Sequence, residues 1–395
     1  MSAAADAPVT SGANVLPNPL RDLHAAVAPL VEFQPYDQLE IVSTFGEPQA
    51  EYAAIRKSAA LMDLPQRGFL ELTGRDRLSF LNNLLTNQTW DKQAKSGLQT
   101  GQGVYAFFLN VKGRIAADMN VLELGERTLL ETDARFVPTI KQAFDKYLFA
   151  EQVTMRSLVG VSHEIALHGP ASRHILETAT EQPLPAVAPL ASTKMNLFGV
   201  DVIVWRDDPT GTPGYYLVIP IESAQMVWRE LLTRFGTSAA LGKRQLRAIG
   251  WAAFNATRIE AGRPLFGIDF DDSILPAETG QLFARAVSLT KGCYLGQEIV
   301  ARMHARQQVA KQIVGIKLQT DDLPMAGAKL FDDAGNEIGG VTSSTLSPIL
   351  SDTAIGLGYV KRPFVSPGTK IKVPAEGALR DATITELPFI KQVSE

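Results

Sequence analysis

The spacing of apolar residues divides the chain into three stretches with different periodicity. From about 22 to 154, the pattern predicts helices at 51–63, 76–86 and 134–149, a strand at 69–74, and two strands within 104–124 joined by a turn at 110–113. From there to about 303, it predicts strands at 163–168 and 200–205, helices at 170–179 and 222–235, and a Pro-rich loop at 183–189. From about 311 onward, it predicts short strands at 312–318, 328–331, 355–360, 369–373 and 380–387.

These elements indicate an α+β fold with a β-rich C-terminal domain. The close spacing of the last strands is typical of a small antiparallel barrel or sandwich. We therefore divide the chain into a leader at 1–21, an α+β region at 22–303 and a C-terminal β-barrel domain at 304–395. The leader lacks the basic start and the apolar block of a signal peptide, and its small polar residues predict disorder.

Composition and charge exclude several classes of protein. The 395 residues are 45% hydrophobic and 20% charged, which is typical of a globular protein with two or three domains. The net charge of −4 argues against a broad electrostatic contact with nucleic acid or an anionic membrane. No apolar run approaches the roughly 18 residues of a membrane span. The single cysteine excludes an intrachain disulfide, so we expect a cytoplasmic protein, and we expect it to be a monomer.

Sequence patterns of nucleotide, metal and serine-hydrolase sites give no support to those functions. The segment GQGVYA at 101–106 lacks the third glycine of a dinucleotide fingerprint, and the chain contains neither GxxxxGK[ST] nor GxSxG. None of the five histidines has a partner at metal-ligand spacing on a helix. We therefore predict no resident metal.

The segment KGCYLGQE at 291–298 is the densest local feature of the sequence. Lys291 precedes Cys293 by two residues, and a neighbouring ammonium favours the thiolate form of a cysteine. A helix predicted from Gln297 would add its dipole and would carry Glu298 in its first turn. The alternative is a small buried cysteine in a turn, followed by a helix-stabilising glutamate.

Two further segments carry candidate polar groups. Asp118 lies in a mostly apolar strand, where a carboxylate beside a cavity can accept or orient a proton; the alternative is an exposed strand position. The segment at 256–270 combines Arg258, Glu260, Arg263 and Phe266, which suits a planar ring with an anionic tail. The alternative there is a helix end with surface charges.

Five segments together resemble the T-protein of the glycine cleavage system and its folate-binding relatives. They are LTGRDRLSFLNNLLTN (72–87), NVKGRIAAD (110–118), RIEAGRPLFGID (258–269), KGCYLGQE (291–298) and IGGVTSSTLSP…IGLGYV (338–360). The octapeptide KGCYLGQE resembles the signature of one branch, the YgfZ-type folate-binding proteins. The resemblance implies a three-lobed, ring-like T-protein fold, with two interleaved α+β lobes in 22–303, a final barrel, and tetrahydrofolate in a central channel.

The resemblance also implies a set of folate contacts. Asp118 matches the carboxylate near N5 of the folate, and Asn120 follows it on the same strand face. Trp205 resembles an aromatic residue that packs near the pterin, while Arg258 and Phe266 match the RxEAG segment and its aromatic neighbour.

The KGCYLGQE segment completes the candidate site. We assign Cys293 and Lys291 to the candidate catalytic residues together with Asp118, and Glu298 to the candidate folate contacts. One departure stands out: T-proteins carry a YTGEDG-like segment whose Glu holds the pterin edge, whereas this chain has PTGTPG with Thr212 at that place. We expect the change to weaken pterin binding and T-protein catalysis, because threonine offers no charge-assisted two-point contact.

Two functions follow from the resemblance. The first is a tetrahydrofolate-binding YgfZ-like protein that supports iron–sulfur cluster assembly or repair in client enzymes, including tRNA-modifying ones. Its partners would be folate and iron–sulfur client or assembly proteins, without direct nucleic acid or membrane contact. The alternative is a tetrahydrofolate-dependent aminomethyltransferase, supported by Asp118 and by the helix predicted at 51–63. A different ligand in the same fold, or a demethylase-like activity, remains a third possibility.

Overall fold

A computed structural model describes residues 16, 18–27, 30–185, 188–236, 245–306 and 309–391. The described helices are α1 Arg21–Val27, α2 Pro48–Lys57, α3 Arg77–Leu84, α4 Val137–Asp145, α5 Ser172–Thr180, α6 Ala224–Phe235, α7 Trp251–Glu260, α8 Leu282–Ala286 and α9 Gln297–Arg306. The described strands are β1 Glu32–Tyr36, β2 Leu39–Thr44, β3 Ala59–Asp63, β4 Arg67–Thr73, β5 Trp90–Asp91, β6 Ser96–Gly97, β7 Gly103–Leu109, β8 Ile115–Glu123, β9 Arg127–Asp133, β10 Thr154–Ser157, β11 Ser162–His168, β12 Ser192–Leu197, β13 Val200–Arg206, β14 Gly214–Pro220, β15 Leu246–Ile249, β16 Lys311–Leu318, β17 Lys329–Phe331, β18 Glu337–Ser347, β19 Thr353–Lys361, β20 Lys370–Ala375 and β21 Ala378–Thr385.

A five-stranded antiparallel sheet has the order β10-β4-β9-β8-β7. Strand β8 shows why this sheet has two different faces, because successive side chains of a strand point in opposite directions. Ala117, Met119 and Val121 pack against α3 and α4, where Leu81 and Phe144 are buried in the same core. The even-numbered positions of β8 face the other way, toward the second sheet.

The second sheet has six strands in the order β12-β13-β14-β11-β3-β15, and only the β15–β3 pair among them is parallel. One of its faces packs on α5 and α6 through a core that includes Ile165, Leu217 and Trp228. Its other face carries Ile203 and Val218, which share a core with residues of the first sheet. The two sheets therefore face each other across one apolar layer, with helices on their outer faces.

The C-terminal strands form a closed barrel in the order β16-β19-β18-β17-β20-β21. Strand β16 pairs with both β19 and β21 and so closes the sheet on itself. Closure removes the unpaired edges that an open sheet would expose. The antiparallel barrel expected at the C-terminal end is confirmed.

A buried ion pair joins the barrel to helix α7. The guanidinium of Arg258 donates to the carboxylate of Asp269 at 2.6 Å and to Ser343 Oγ of β18 at 2.8 Å. Ser343 Oγ in turn donates to Asp269 at 2.6 Å, and the side chains of Arg258 and Asp269 are fully buried. Glu260, at the end of α7, accepts hydrogen bonds from Tyr52 at 2.9 Å, from Ser347 of the barrel, and from Arg56.

Most predicted elements are confirmed, but the helix predicted at 51–63 is wrong in its second half. The helix ends at Lys57, and residues 59–63 form β3, which pairs with β11 on one side and β15 on the other. A strand enclosed on both sides is apolar without alternation, so its sequence AALMD resembles a continuation of the helix. The other strands absent from the prediction are β1, β2, β5, β6, β9, β10, β12, β14, β15 and β18.

The two predicted domain limits can be compared with the observed helices and strands. The limit between 303 and 304 falls inside α9, which ends at Arg306, while the barrel begins at Lys311. Of the predicted leader, residues 1–15 and 17 lie outside the described residues. Leu20 is fully buried, and its amide donates to Asn18 Oδ1 at 3.2 Å. Among the described helices, none combines the length and the hydropathy that a membrane crossing requires.

Replacement of Arg258 by alanine should lower the free energy of unfolding by about 3–5 kcal/mol, because it leaves the Asp269 carboxylate buried without its partner. The measurement is thermal or urea unfolding of the full chain. Lys329→Ala is the control: it removes an exposed ion pair with Glu337 and should cost less than about 1 kcal/mol. Equal shifts in the two variants would show that the Arg258 pair does not hold the barrel.

Candidate functional site

A cavity of about 110 Å³ lies between the two sheets and helices α7 and α8. Its wall combines aromatic rings with charged side chains of both signs. The lining residues are Tyr36, Leu64, Gln66, Arg67, Tyr105, Asp118, Asn120, Glu131, Trp205, Asp207, Pro209, Tyr216, Trp251, Phe254, Arg263, Pro264, Leu265, Phe266, Ile268, Leu282 and Arg285. Four of the predicted site residues are therefore brought together here: Asp118, Asn120, Trp205 and Phe266.

Asp118 and Asn120 reach the cavity because they are two residues apart on β8 and so share one face. Tyr105, opposite on β7, donates its hydroxyl to the Asp118 carboxylate at 2.7 Å. Burial raises the pKa of Asp118 above its ordinary value, although the charge of Arg67 and the Tyr105 hydrogen bond act in the opposite direction. A raised pKa keeps the carboxyl able to hold a proton at a higher pH than an exposed aspartate.

A network of buried charges forms the floor of the cavity. Arg67 Nε donates to Glu131 Oε1, and Asn120 Nδ2 donates to Glu131 Oε2 at 2.7 Å. Glu164, from the opposite sheet, accepts a hydrogen bond from Trp205 Nε1 at 2.8 Å. Burial and the charge of Glu131 raise the pKa of Glu164 well above its ordinary value, which favours its neutral acid form.

Aromatic side chains form the apolar walls. Trp205 and Tyr216 stack with their ring centroids 4.2 Å apart and 20° between the ring planes. Phe266 contacts Phe136 edge-to-face with centroids 5.4 Å apart. Flat rings at fixed positions favour a planar aromatic ligand.

Two arginines converge on Asp207 in the cavity wall. Arg263 Nη2 lies 2.9 Å from Asp207 Oδ1, and Arg285 Nη2 lies 3.0 Å from Asp207 Oδ2. The Arg285 guanidinium also lies over the ring of Tyr105, 5.1 Å from its centroid. About a fifth of each arginine side chain is exposed, so Arg263 and Arg285 place positive charge where the cavity wall meets solvent.

Comparison with known proteins identifies the family. Residues 24–291 match the GCVT N-terminal domain, and residues 311–391 match the glycine cleavage T-protein C-terminal barrel domain. The chain belongs to the glycine cleavage T-protein family. The predicted superfamily is thus confirmed, whereas the narrower assignment to the YgfZ-type branch stays a prediction.

Relatives within the T-protein family match nearly the whole chain. The aminomethyltransferase of Geobacillus kaustophilus is 28% identical over 89% of this chain and 93% of its own length. That of Thermosynechococcus vestitus is 29% identical over 95% of each chain. The crystal structure of aminomethyltransferase T from Bartonella henselae superposes with a TM-score of 0.83, at 25% identity, over 95% of this chain and 98% of that one.

The polar atoms of the cavity wall suit a ligand with hydrogen-bond donors, as a tetrahydrofolate would be. Two carbonyl oxygens of its wall, Asn120 Oδ1 and Gln66 Oε1, are buried without a hydrogen-bond partner among the described residues. Buried polar atoms are normally paired, so such orphans indicate a ligand that donates hydrogen bonds. A reduced pterin carries several N–H donors, and its planar pyrimidine half is the part that the aromatic walls would hold.

Arg258, the fifth predicted folate contact, does not line the cavity. Its guanidinium is fully buried and bonded to Asp269, Ser343 and the carbonyl of Arg263 at 3.1 Å. The RxEAG segment therefore places this arginine at the junction with the barrel. Phe266 and Arg263 carry the segment's contribution to the cavity.

The KGCYLGQE residues lie outside the cavity wall. Lys291 Nζ donates to the carbonyl oxygens of Asn82 at 2.6 Å and Asn87 at 3.0 Å, at the end of α3. Burial, with the nearby charge of Lys92, lowers the pKa of Lys291 to about 7. Cys293 and Glu298 are exposed, so the alternative of a buried structural cysteine is wrong.

Gly296, the second glycine of KGCYLGQE, lets this segment lie close to the β7–β8 turn. Gly296 has a φ of +80°, and a Cβ there would lie 3.2 Å from the carbonyl oxygen of Asn110 in the β7–β8 turn. Gly113 of the same turn packs against Ile299 of α9, where an added Cβ would come within 2.8 Å. The two glycines thus let the segment pack closely on the turn.

The weaker pterin binding expected from Thr212 stays a prediction. Thr212 is 2% exposed and its hydroxyl lies 2.9 Å from that of Thr210, and neither residue lines the cavity. Tyr216, four residues later on β14, is the residue of this segment that reaches the wall. The threonine itself therefore supplies no contact to this wall.

Several functional residues of the cavity escaped prediction. Glu131 and Arg67 had a usable signal, since a charged side chain on a mostly apolar strand marks a buried polar site. Arg263 is one of the candidate polar groups of the 256–270 segment, but its partners Asp207 and Arg285 come from other segments, and their spacing along the chain carries no such signal.

Proposed function

We propose that this protein binds a tetrahydrofolate in the cavity between its two sheets and uses it in a one-carbon transfer of the aminomethyltransferase kind. The observation that carries the proposal is the Asp118 carboxyl, held in the cavity wall by Tyr105 beside two unpaired acceptors. The names of the relatives, all aminomethyltransferases over most of the chain, support the same function.

Each part of the cavity has a chemical role in this proposal. When bound, tetrahydrofolate supplies the nitrogen that takes up the one-carbon unit. Asp118 would hold or accept a proton beside that nitrogen, and its raised pKa would allow this at a pH nearer to neutral. The stacked Trp205–Tyr216 pair would orient the flat ring and exclude water. Arg263 and Arg285 would attract the anionic tail of the folate toward the solvent side.

Asp118→Asn should reduce turnover by about 10²–10⁴-fold, because an amide retains the shape of the carboxyl without its proton chemistry. The assay measures methylene-tetrahydrofolate formed from tetrahydrofolate and an aminomethylated lipoyl carrier. In the wild type, the pH profile of the rate should show a limb above the ordinary aspartate range of about 4, and this limb should vanish in the variant. Asp145→Asn, which changes an exposed acid on α4, is the control.

Absence of product with the wild-type protein would overturn the transferase proposal. Equal turnover in wild type and Asp118→Asn would remove Asp118 from the reaction and leave the transfer itself standing.

A second function is favoured by one specific observation, the exposed thiol of Cys293 in the KGCYLGQE segment. We propose as the alternative a YgfZ-type role, in which the folate-bound protein supports iron–sulfur cluster assembly or repair in client enzymes. One thiol supplies too few ligands for a stable four-iron cluster, so its role would be transient. The cavity would bind folate in the same way under both proposals.

The alternative is tested by complementation of a strain that lacks the gene, scored by the activity of an iron–sulfur enzyme under oxidative stress. Cys293→Ser should leave folding and folate affinity nearly unchanged, since the side chain is exposed, but should abolish complementation. Thr290→Val, at an exposed position of the same loop, is the control and should complement fully. Full complementation by Cys293→Ser would contradict a role of the thiol.

A further inference from the structure

The orientation of the Asn120 side-chain amide is set by its surroundings. Its Nδ2 donates to Glu131 Oε2 at 2.7 Å, which leaves Oδ1 as the atom without a partner among the described residues. A carboxylate accepts hydrogen bonds and donates none. Glu131 therefore selects one of the two amide orientations, the one in which the oxygen is left for a ligand.

Glu131 is itself held firmly. It is 1% exposed, its second oxygen accepts from Arg67 Nε, and its strand β9 is central in the five-stranded sheet. In register, Glu131 pairs with Asn120 on β8 and with Phe69 on β4. The Arg67–Glu131–Asn120 chain of hydrogen bonds thus runs across three adjacent strands and ends at the cavity.

Other polar atoms of the cavity wall lie in the same region as Asn120 Oδ1. Gln66 Oε1 is the second buried carbonyl oxygen of the wall without a partner among the described residues. Asp118 adds a carboxyl that already accepts from Tyr105. Asn120 Oδ1 and Gln66 Oε1 therefore offer acceptors to a ligand, and a ligand with acceptors at the positions that face these two atoms would leave them unpaired.

We propose that Glu131 is a specificity-determining positioning residue, which fixes the Asn120 amide so that the cavity selects the tetrahydro form of a pterin over the fully oxidised form. In the tetrahydro ring N5 and N8 carry hydrogens, whereas in the oxidised ring the same nitrogens are bare acceptors. The inference rests on the proposed folate binding and adds to it the origin of the preference for the reduced ring.

The test compares the dissociation constants of oxidised folate and tetrahydrofolate by anaerobic calorimetry. The wild type should bind tetrahydrofolate at least about tenfold more tightly than folate. In Glu131→Gln, the new amide can donate to Asn120 Oδ1 and let that side chain turn its NH₂ group toward the ligand. The ratio of the two constants should then fall by about tenfold, with the tetrahydrofolate constant rising more than the folate constant falls.

Glu123→Gln is the matched control, because Glu123 is also a buried acid paired with an arginine, Arg77, but does not line the cavity. Its ratio should equal that of the wild type. Asn120→Leu gives an independent variant without the amide, in which the ratio should also fall. Thermal unfolding shows which variants are folded, and if Glu131→Gln does not fold, Asn120→Leu and the control decide.

An unchanged ratio in the folded variants would overturn the role of Glu131 while leaving folate binding intact. A wild-type protein that binds neither compound would overturn the proposed function and this inference together. A wild type that binds both compounds equally would overturn only the selection of the reduced ring.

Discussion

The ion pair between the half-buried Arg67 and the buried Glu131 is the constraint on which the polar geometry of the cavity depends. Two sheets that face each other across an apolar layer would normally exclude charged groups, because a charge removed from water is costly without a partner. Here the guanidinium of Arg67 offsets the charge of Glu131 and lies within electrostatic range of Asp118 and Glu164. Such an ion pair adds little to the free energy of unfolding. Its main effect here is to hold the Glu131 carboxylate, and through it the Asn120 amide, in one position.

The architecture separates the groups that resemble a T-protein site into three locations. Asp118 and Asn120 lie in the cavity, Arg258 joins α7 to the barrel, and Cys293 lies exposed on the loop before α9. Lys291, beside that cysteine, binds carbonyl oxygens at the end of α3. Both proposed functions use the folate cavity and only the second also needs the exposed thiol, so variants of the cavity and of the thiol can be studied independently.

How far the sequence predicts this structure depends on the range of the interactions. Alternation along 104–124 is a local pattern, and it correctly predicted a strand pair with Asp118 and Asn120 on one face. The sequence of strand β3 resembles a continuation of helix α2, because the strands that pair with both of its edges are distant along the chain and no local pattern indicates them. Arg258 matches a family segment, but only the packing of the barrel on α7 shows that its guanidinium donates to Asp269 and Ser343 and does not face the cavity.

The most direct test of the account is calorimetric titration of the full chain with tetrahydrofolate under anaerobic conditions. We expect saturable binding of one equivalent by the wild type, with affinity reduced about tenfold or more in Asp118→Asn, since a hydrogen bond to a charged group contributes about 1.5–3 kcal/mol. Asp145→Asn should bind as the wild type does. Absence of saturable binding by the wild type would contradict the central claim, and equal affinity in Asp118→Asn would show that the cavity described here is not where the folate binds.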